Sequence, residues 1–286
     1  MTLLSPPRPH PASNRRIDWE FEATRLLAYR LLHKPSTKDR HQRRFVVLTT
    51  SDVPQEQIDT LRADGAEIRS IKALEGARTR KVSAKPEPQK QEPPKLAIRE
   101  SRNEFTKLHL WNMTQYSKIL YLEPDILVIR PLSDFFNIGF SKDIYGTSYL
   151  FAAKPENQSS VSTKSNAVEN GNFSTSVFLL HPSVQHALYV NAIYRHSIHA
   201  DTPSNMTETS LLHYAYRRDG PYPWQLIDPK YISEKPMLED MTDGFALQGK
   251  FWEEGDHVNP DLRRFWYFAW GEMKGYYVNR RLRKDL

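Results

Sequence analysis

The sequence predicts an α/β fold with a mostly parallel, Rossmann-like central sheet flanked by helices, and three observations carry that reading. Between Phe45 and Ile68 an apolar run, a helical stretch and a second extended run follow one another with short joints. That is the order from which parallel sheets are assembled. Ile119-Leu120-Tyr121-Leu122 and Ile126-Leu127-Val128-Ile129 are continuous apolar runs, as expected of strands buried on both faces. Val177 to Leu180 is a fourth such run, and a helical pattern from about Ser183 to Ser197 follows it.

Each element has its own signal. Phe21, Leu26, Leu27, Leu31 and Leu32 recur at helical spacing with arginines on the opposite side, which predicts an amphipathic helix over Phe21 to His33. Phe45 to Leu48 reads as a strand, Ser51-Asp52-Val53-Pro54 as a turn and cap, and the helix through Leu61 stops at Gly65 before the strand Ala66-Glu67-Ile68. Thr79 to Pro94 is Lys, Pro, Glu and Gln with almost no apolar content, which predicts a solvated loop within one domain spanning residues 1–286. Phe105, Leu108, Trp111 and Tyr116 predict a helix ahead of the two apolar runs. Lys154 to Asn172 is polar, Glu208 to Arg217 reads as a helix, and from Gly220 onward Trp, Tyr and Pro are frequent with weak periodicity.

Composition excludes several functions. The 286 residues carry 40 Lys+Arg against 34 Asp+Glu, a net charge of +6, and no cysteine. A disulfide framework, a thiolate zinc site and a cysteine nucleophile are therefore ruled out. No run of about 18 apolar residues predicts a transmembrane span. Basic residues cluster in the first 50 positions, around Arg78 to Lys95, and at Asn279 to Lys284, but no nucleic-acid recognition signature accompanies them. Nucleic acid is therefore not expected as a partner. Among the Asn-x-Ser/Thr sequons, Asn112 and Asn172 fall in core motifs, which leaves Asn157 and Asn205 as glycosylation candidates and a lean toward a secretory or Golgi lumen.

The candidate chemistry lies between the two apolar runs. Glu123 and Asp125 are two residues apart directly after a buried strand, so an extended backbone turns both carboxylates to one face. Such a pair can hold a hard divalent cation through oxygen and leave positions for diphosphate oxygens. Ligands of open α/β sheets bind beyond the carboxyl ends of strands, where this pair falls.

The surrounding residues carry a resemblance. Phe105-Thr106-Lys107-Leu108-His109-Leu110-Trp111, then Tyr116 through Glu123-Pro124-Asp125 to Arg130-Pro131-Leu132, resemble the core of glycogenin-like glycosyltransferases, family eight of the nucleotide-sugar GT-A fold. Asn172-Phe173-Ser174-Thr175-Ser176-Val177 through Pro182-Ser183 is similar to that family's FNTGV...PS strand, and Thr207-Glu208-Thr209-Ser210-Leu211-Leu212-His213 to its DQGLLN helix. Arg217 to Gln225 and the Trp-rich end resemble a fungal branch. The resemblance implies a GT-A fold and a retaining transferase that takes glucose or N-acetylglucosamine from a UDP-sugar, with Mn2+ or Mg2+, to a glycan or protein acceptor. It implies that Glu123, Asp125 and Gln248 hold the metal, that Lys107 and Glu208 act at the donor and its transferred sugar, and that Lys250 faces the diphosphate. Thr2-Leu3-Leu4-Ser5 is similar to the end of the family's first strand, with the strand's beginning missing, which gives Thr2, Leu3 and Leu4 to the uridine.

Four positions depart from the family pattern. Glu123 replaces the first Asp of Asp-x-Asp, Gln248 stands where a histidine ligand is usual, Ser174-Thr175-Ser176 replaces Asn-Thr-Gly, and Glu208-Thr209 replaces Asp-Gln. These changes keep open an alternative, a weakly active or inactive homologue that binds nucleotide, glycan or a partner. His181, His186, His196, His199 and His213 lack the spacing of a zinc site. Trp252, Trp266, Tyr267, Phe268 and Trp270 read as core before they read as a sugar platform.

Overall fold

The structure, a computed structural model, describes residues 1–6, 17–74, 105–143, 145–155, 172–199, 206–255 and 258–283. In chain order the elements are β1 (Thr2–Leu4), α1 (Trp19–Leu32), β2 (Val46–Thr49), α2 (Gln55–Asp64), β3 (Glu67–Ser70), β4 (Ile119–Leu122), β5 (Ile126–Val128), β6 (Ser141–Lys142), β7 (Ser148–Tyr149), β8 (Phe151–Pro155), β9 (Phe173–Leu180), α3 (Val184–His199), α4 (Glu208–Ala215), β10 (Gln225–Leu226), β11 (Ile232–Ser233), α5 (Asp240–Asp243), β12 (Ala246–Gln248) and α6 (Pro260–Leu282). The solvated-loop expectation for residues 79–94 and the sequons at Asn157 and Asn205 fall outside the described residues. Asn112 and Asn172, which the motifs place in the core, are both exposed.

Strands β1, β2 and β3 form a parallel set in the order β1-β2-β3, and β10-β8-β9-β4 form a second, mixed set. The sets abut at Met1, whose carbonyl accepts from Leu122 N–H at 2.9 Å and whose amino group donates to the Leu120 carbonyl at 2.6 Å. In the second set β9 runs antiparallel to both β4 and β8, while β8 and β10 are parallel. The sheet is thus parallel on one side and mixed on the other.

Strict alternation along the strands divides the core. Val46, Leu48, Ile119, Tyr121, Phe178 and Leu180 pack on one face with Trp111, Val190 and Leu211. Val47, Leu120, Leu122, Val177 and Leu179 pack on the other with Leu27 of α1 and Leu61 of α2. Both faces are covered by helical segments, which explains strands without polar alternation.

Several elements differ from the expectation. Residues Thr106–Asn112 form a 3-10 helix, and its three-residue turn brings Phe105, Leu108 and Trp111, all buried, onto one face. The arginines of α1 do not face water: Arg25 Nε donates to Asp64 at 2.6 Å, and Arg30 Nε donates to the Val128 carbonyl at 2.7 Å. That helix is covered on its far side by α6, whose Trp266 meets Trp19 edge to face at 5.7 Å. α6 itself spans 23 residues of the weakly periodic tail, with Leu262, Trp266, Ala269, Met273 and Tyr277 buried. Of the aromatic run, Trp266 is core and Phe268 is exposed. Lys154 and Pro155, read as the start of a polar stretch, end the buried strand β8.

Candidate active site

The site forms where the chain forks. After β4 the residues Glu123-Pro124-Asp125 make a turn closed by Ile126 N–H to the Glu123 carbonyl at 3.2 Å. β5 then leaves the central sheet and pairs antiparallel with β12, with Gln248 opposite Ile126. Glu123 stays with the central sheet through its N–H to the Ser176 carbonyl at 2.9 Å, while the Asp125 backbone carbonyl accepts from Gly249 N–H at 3.1 Å. The two carboxylates therefore sit on the two branches of the fork, with Ser176 and Gln248 as their respective neighbours.

Under the central sheet Lys107 enters from the 3-10 helix. Its ammonium reaches Glu208 Oε2 at 2.8 Å, Glu123 Oε1 at 3.1 Å and the Thr175 carbonyl at 3.2 Å. An ammonium has three protons to give, so Lys107 is saturated. The side chains of Lys107 and Glu208 are each 7% exposed. Burial works against the lysine's charge, but Glu208 and then Glu123 outweigh it and hold the ammonium well above its usual range. Tyr121, whose ring lies 5.2 Å from the ammonium, is pushed far up by burial.

Next to this cluster, and sharing Thr175 with it, is a cavity of 490 Å3 whose wall includes Asp125, Ser174, Ser176, Thr209, Gln248 and Lys250 but not Lys107, Glu123 or Glu208. Asp125 is pushed up to about 7, first by burial and then by the charge of Glu123, with the Gln248 amide and Lys250 acting the other way. Asp125 Oδ1 and Gln248 Oε1 are both buried with no hydrogen-bond partner. Gln248 Nε2 donates to Ser176 Oγ at 2.9 Å. Among the described residues no three His, Asp or Glu side chains converge as a metal-binding group. The donors on offer at the fork are instead carboxylate and amide oxygens, the ligand type that hard cations such as Mg2+ and Mn2+ accept. Two of these oxygens lack any other partner, so the residues present fit such an ion.

The structure thus brings Lys107, Glu123 and Glu208 into one cluster and Asp125, Gln248 and Lys250 into one cavity wall. It does not bring Thr2, Leu3 and Leu4 there: Thr2 and Leu4 are fully buried in β1, and none of the three lines the cavity. Two of the departures from the family motifs touch, since Ser176 pairs with Gln248, and a third, Thr209, has its Oγ1 3.1 Å from Oγ1 of Thr175, the residue the motif retains. Sequence reasoning missed Glu234 and Lys235, which also line the cavity, and the buried Lys154, 3.9 Å from Glu234. No motif or spacing marks them.

Comparison with known proteins gives the family and the fold. The sequence profile of glycosyl transferase family 8 matches residues 24–214, more than half of the chain. The chain belongs to glycosyl transferase family 8. Two family-like relatives from Schizosaccharomyces pombe are both uncharacterised. One, C4C3.09, is 28% identical over 298 residues, covering 91% of this chain and 75% of its own length, and the other, C5H10.12c, is 26% identical over 310 residues, covering 91% and 76%. Among solved structures, the glycosyltransferase GlyE of Streptococcus pneumoniae TIGR4 superposes with a TM-score of 0.53 at 13% identity, over 92% of this chain and 61% of GlyE. The chain therefore matches less than two thirds of GlyE's length. An active-site mutant of LgtC superposes with a TM-score of 0.51 at 13% identity, over 90% of this chain and 92% of LgtC. These likenesses show the GT-A fold. Among the described residues no helix is long and apolar enough to cross a membrane.

Proposed function

We propose that this family 8 glycosyltransferase moves glucose or N-acetylglucosamine from a UDP-sugar to a glycan or protein acceptor with retention, using Mn2+ or Mg2+ held by Glu123, Asp125 and Gln248. The observation that supports it most is the saturated Lys107–Glu123–Glu208 cluster, joined through Thr175 to a polar cavity whose wall includes Asp125 and Gln248, each with one unpartnered oxygen.

Charge explains why these parts belong together. Lys107 is one ammonium among the carboxylates of Glu123, Glu208 and Asp125, so the bare site is net negative and opposes a diphosphate. A divalent cation supplies the missing positive charge when bound and stabilises the charge that develops on the leaving diphosphate. Lys107 pairs with Glu123 and Glu208 and fixes them in place, which aims Glu123 at the fork and sets Glu208 to hold a hydroxyl of the transferred sugar. Lys250, with a side chain 43% exposed and 3.7 Å from Glu253, can swing onto the diphosphate. Retention follows if the acceptor hydroxyl attacks from the side of the leaving diphosphate and gives its proton to a diphosphate oxygen. No side chain is then needed as nucleophile.

A second reading, binding without turnover, is favoured by one observation: a neutral amide stands where an imidazole is usual, and no three His, Asp or Glu side chains meet among the described residues. UDP release from UDP-glucose and UDP-N-acetylglucosamine, with and without Mn2+, separates the two. Cation-dependent release from one sugar supports transfer. A folded protein that binds UDP and Mn2+ but releases nothing from either sugar, with glycan acceptors present, overturns it in favour of the binding role.

A further inference from the structure

The link between Ser176 and Gln248 is a feature the reaction scheme above does not use. Ser176 belongs to β9 of the central sheet and Gln248 to β12 of the small sheet, 72 positions apart in the chain, and their side chains meet across the fork at 2.9 Å. Both stand where the family motifs have other residues, a glycine and a histidine, and a glycine at position 176 has no side chain to make this bond. An imidazole has a fixed ring that presents one nitrogen. A glutamine has three rotatable bonds before its amide and two chemically different ends, donor and acceptor, of nearly equal size, so packing alone does not fix which end it shows.

We infer that Ser176 is a positioning residue for the cation corner: its hydroxyl takes the Gln248 amide nitrogen, and the amide oxygen is thereby left free as a ligand in the cavity wall that Asp125 shares. Three facts on the fork carry this. Gln248 Nε2 is engaged by Ser176, Gln248 Oε1 is buried without a partner, and Asp125 Oδ1 at the same corner is also buried without one. A buried acceptor oxygen without a donor is costly, and two at one corner are relieved together by a single cation. The serine does for the flexible amide what ring rigidity does for an imidazole. The inference rests on the reading that Asp125 and Gln248 hold a cation, and the experiment separates the two.

Binding of Mn2+ alone is measured by the loss of its free-ion electron paramagnetic resonance signal, for the wild-type chain and for Ser176→Ala, Ser176→Thr, Ser176→Val and Gln248→Ala. Ser176→Ala is expected to weaken Mn2+ about five-fold, the worth of one hydrogen bond. Ser176→Thr, which keeps the hydroxyl, should bind as the wild type does, and Ser176→Val, its near-isostere without the hydroxyl, should match Ser176→Ala. In a Gln248→Ala background the Ser176→Ala change should add nothing, because a residue acting through Gln248 has nothing left to position. Equal losses in both backgrounds, or Ser176→Val binding as well as Ser176→Thr, overturn the positioning role while leaving the cation reading intact. Absence of Mn2+ binding by the folded wild-type chain overturns the cation reading and the positioning role with it.

Discussion

The two halves of the fork are built in opposite ways. On the central-sheet side every proton of Lys107 has an acceptor, and the charges of Glu123 and Glu208 are matched by an ammonium that burial alone would neutralise. On the small-sheet side Asp125 Oδ1 and Gln248 Oε1 are buried and unmatched, and Asp125 is pushed up to about 7 by burial and then by Glu123. One half has an ammonium of the protein's own among its carboxylates; the other has none within its corner and leaves ligation capacity unspent. A site needs both kinds of region, because a rigid scaffold fixes geometry while unspent ligation capacity gives a ligand its binding energy.

The comparison breaks most severely at Lys107. Lys107→Met leaves Glu208 buried without its ammonium, and removing one partner of a buried ion pair costs about 3–5 kcal/mol. Urea unfolding of the variant should show that loss, and a loss below about 1 kcal/mol would mean the cluster is not closed as described. Glu123→Ala combined with Asp125→Ala should cut transfer by at least about 100-fold, as loss of charge stabilisation at a leaving group does. The circular dichroism of that double variant should remain native, and retained activity would remove the pair from the chemistry.

The incomplete half should reveal itself through pH. Because the native Asp125 carboxyl titrates near 7 and an unfolded aspartate near 4, the native state holds a proton the unfolded chain has already released. The resulting stability is fully present below the unfolded value and is lost as pH rises through the native one. Without added cation, the thermal midpoint should fall between about pH 5 and pH 8, Asp125→Asn should flatten that fall, and Mn2+ at the upper pH should restore the wild type. A wild-type profile as flat as that of Asp125→Asn would show that the corner carries no buried acid. The smallest change is Gln248→His, which replaces the amide with a stronger ligand and should tighten Mn2+ by about tenfold. Calorimetry that shows no gain would place Gln248 outside the coordination sphere.

Much of the scaffold was legible because burial on both faces of a strand leaves a direct mark on sequence. Ile119 to Leu122 and Val177 to Leu180 announce themselves as uninterrupted apolar runs and lie side by side in the sheet, Leu122 opposite Val177. Gly65 was legible as the end of α2 because it sits at φ +107°, where a side chain is strained. α6 carried a signal too, in the spacing of Leu262, Trp266, Ala269, Met273 and Tyr277 behind Asn259 and Pro260, a cap and first-turn proline. Its exposed Phe268 and its two glycines, Gly271 and Gly275, blurred the stripe. Lys154 was not legible: a lysine in a polar-looking stretch reads as surface, and the approach of Glu234 from a distant segment, with Asp240 beyond it, offsets its burial.

What the sequence determined by itself is the central strands and helices up to about residue 217 and the family, because periodicity and motif spacing are local properties that survive without coordinates. It also named Lys107, Glu123, Asp125, Glu208, Gln248 and Lys250 one at a time. Tertiary structure decided how they divide. Lys107 meets Glu123 across 16 positions and the Thr175 carbonyl across 68, while Gln248 meets Ser176 across 72. Those meetings depend on where β5 leaves the central sheet and on which strand β12 pairs with, and strand pairing between distant segments is set by the packing of the whole chain. For that reason the four departures look like separate defects when read in line, and two of them, Ser176 and Gln248, become partners once the chain is folded.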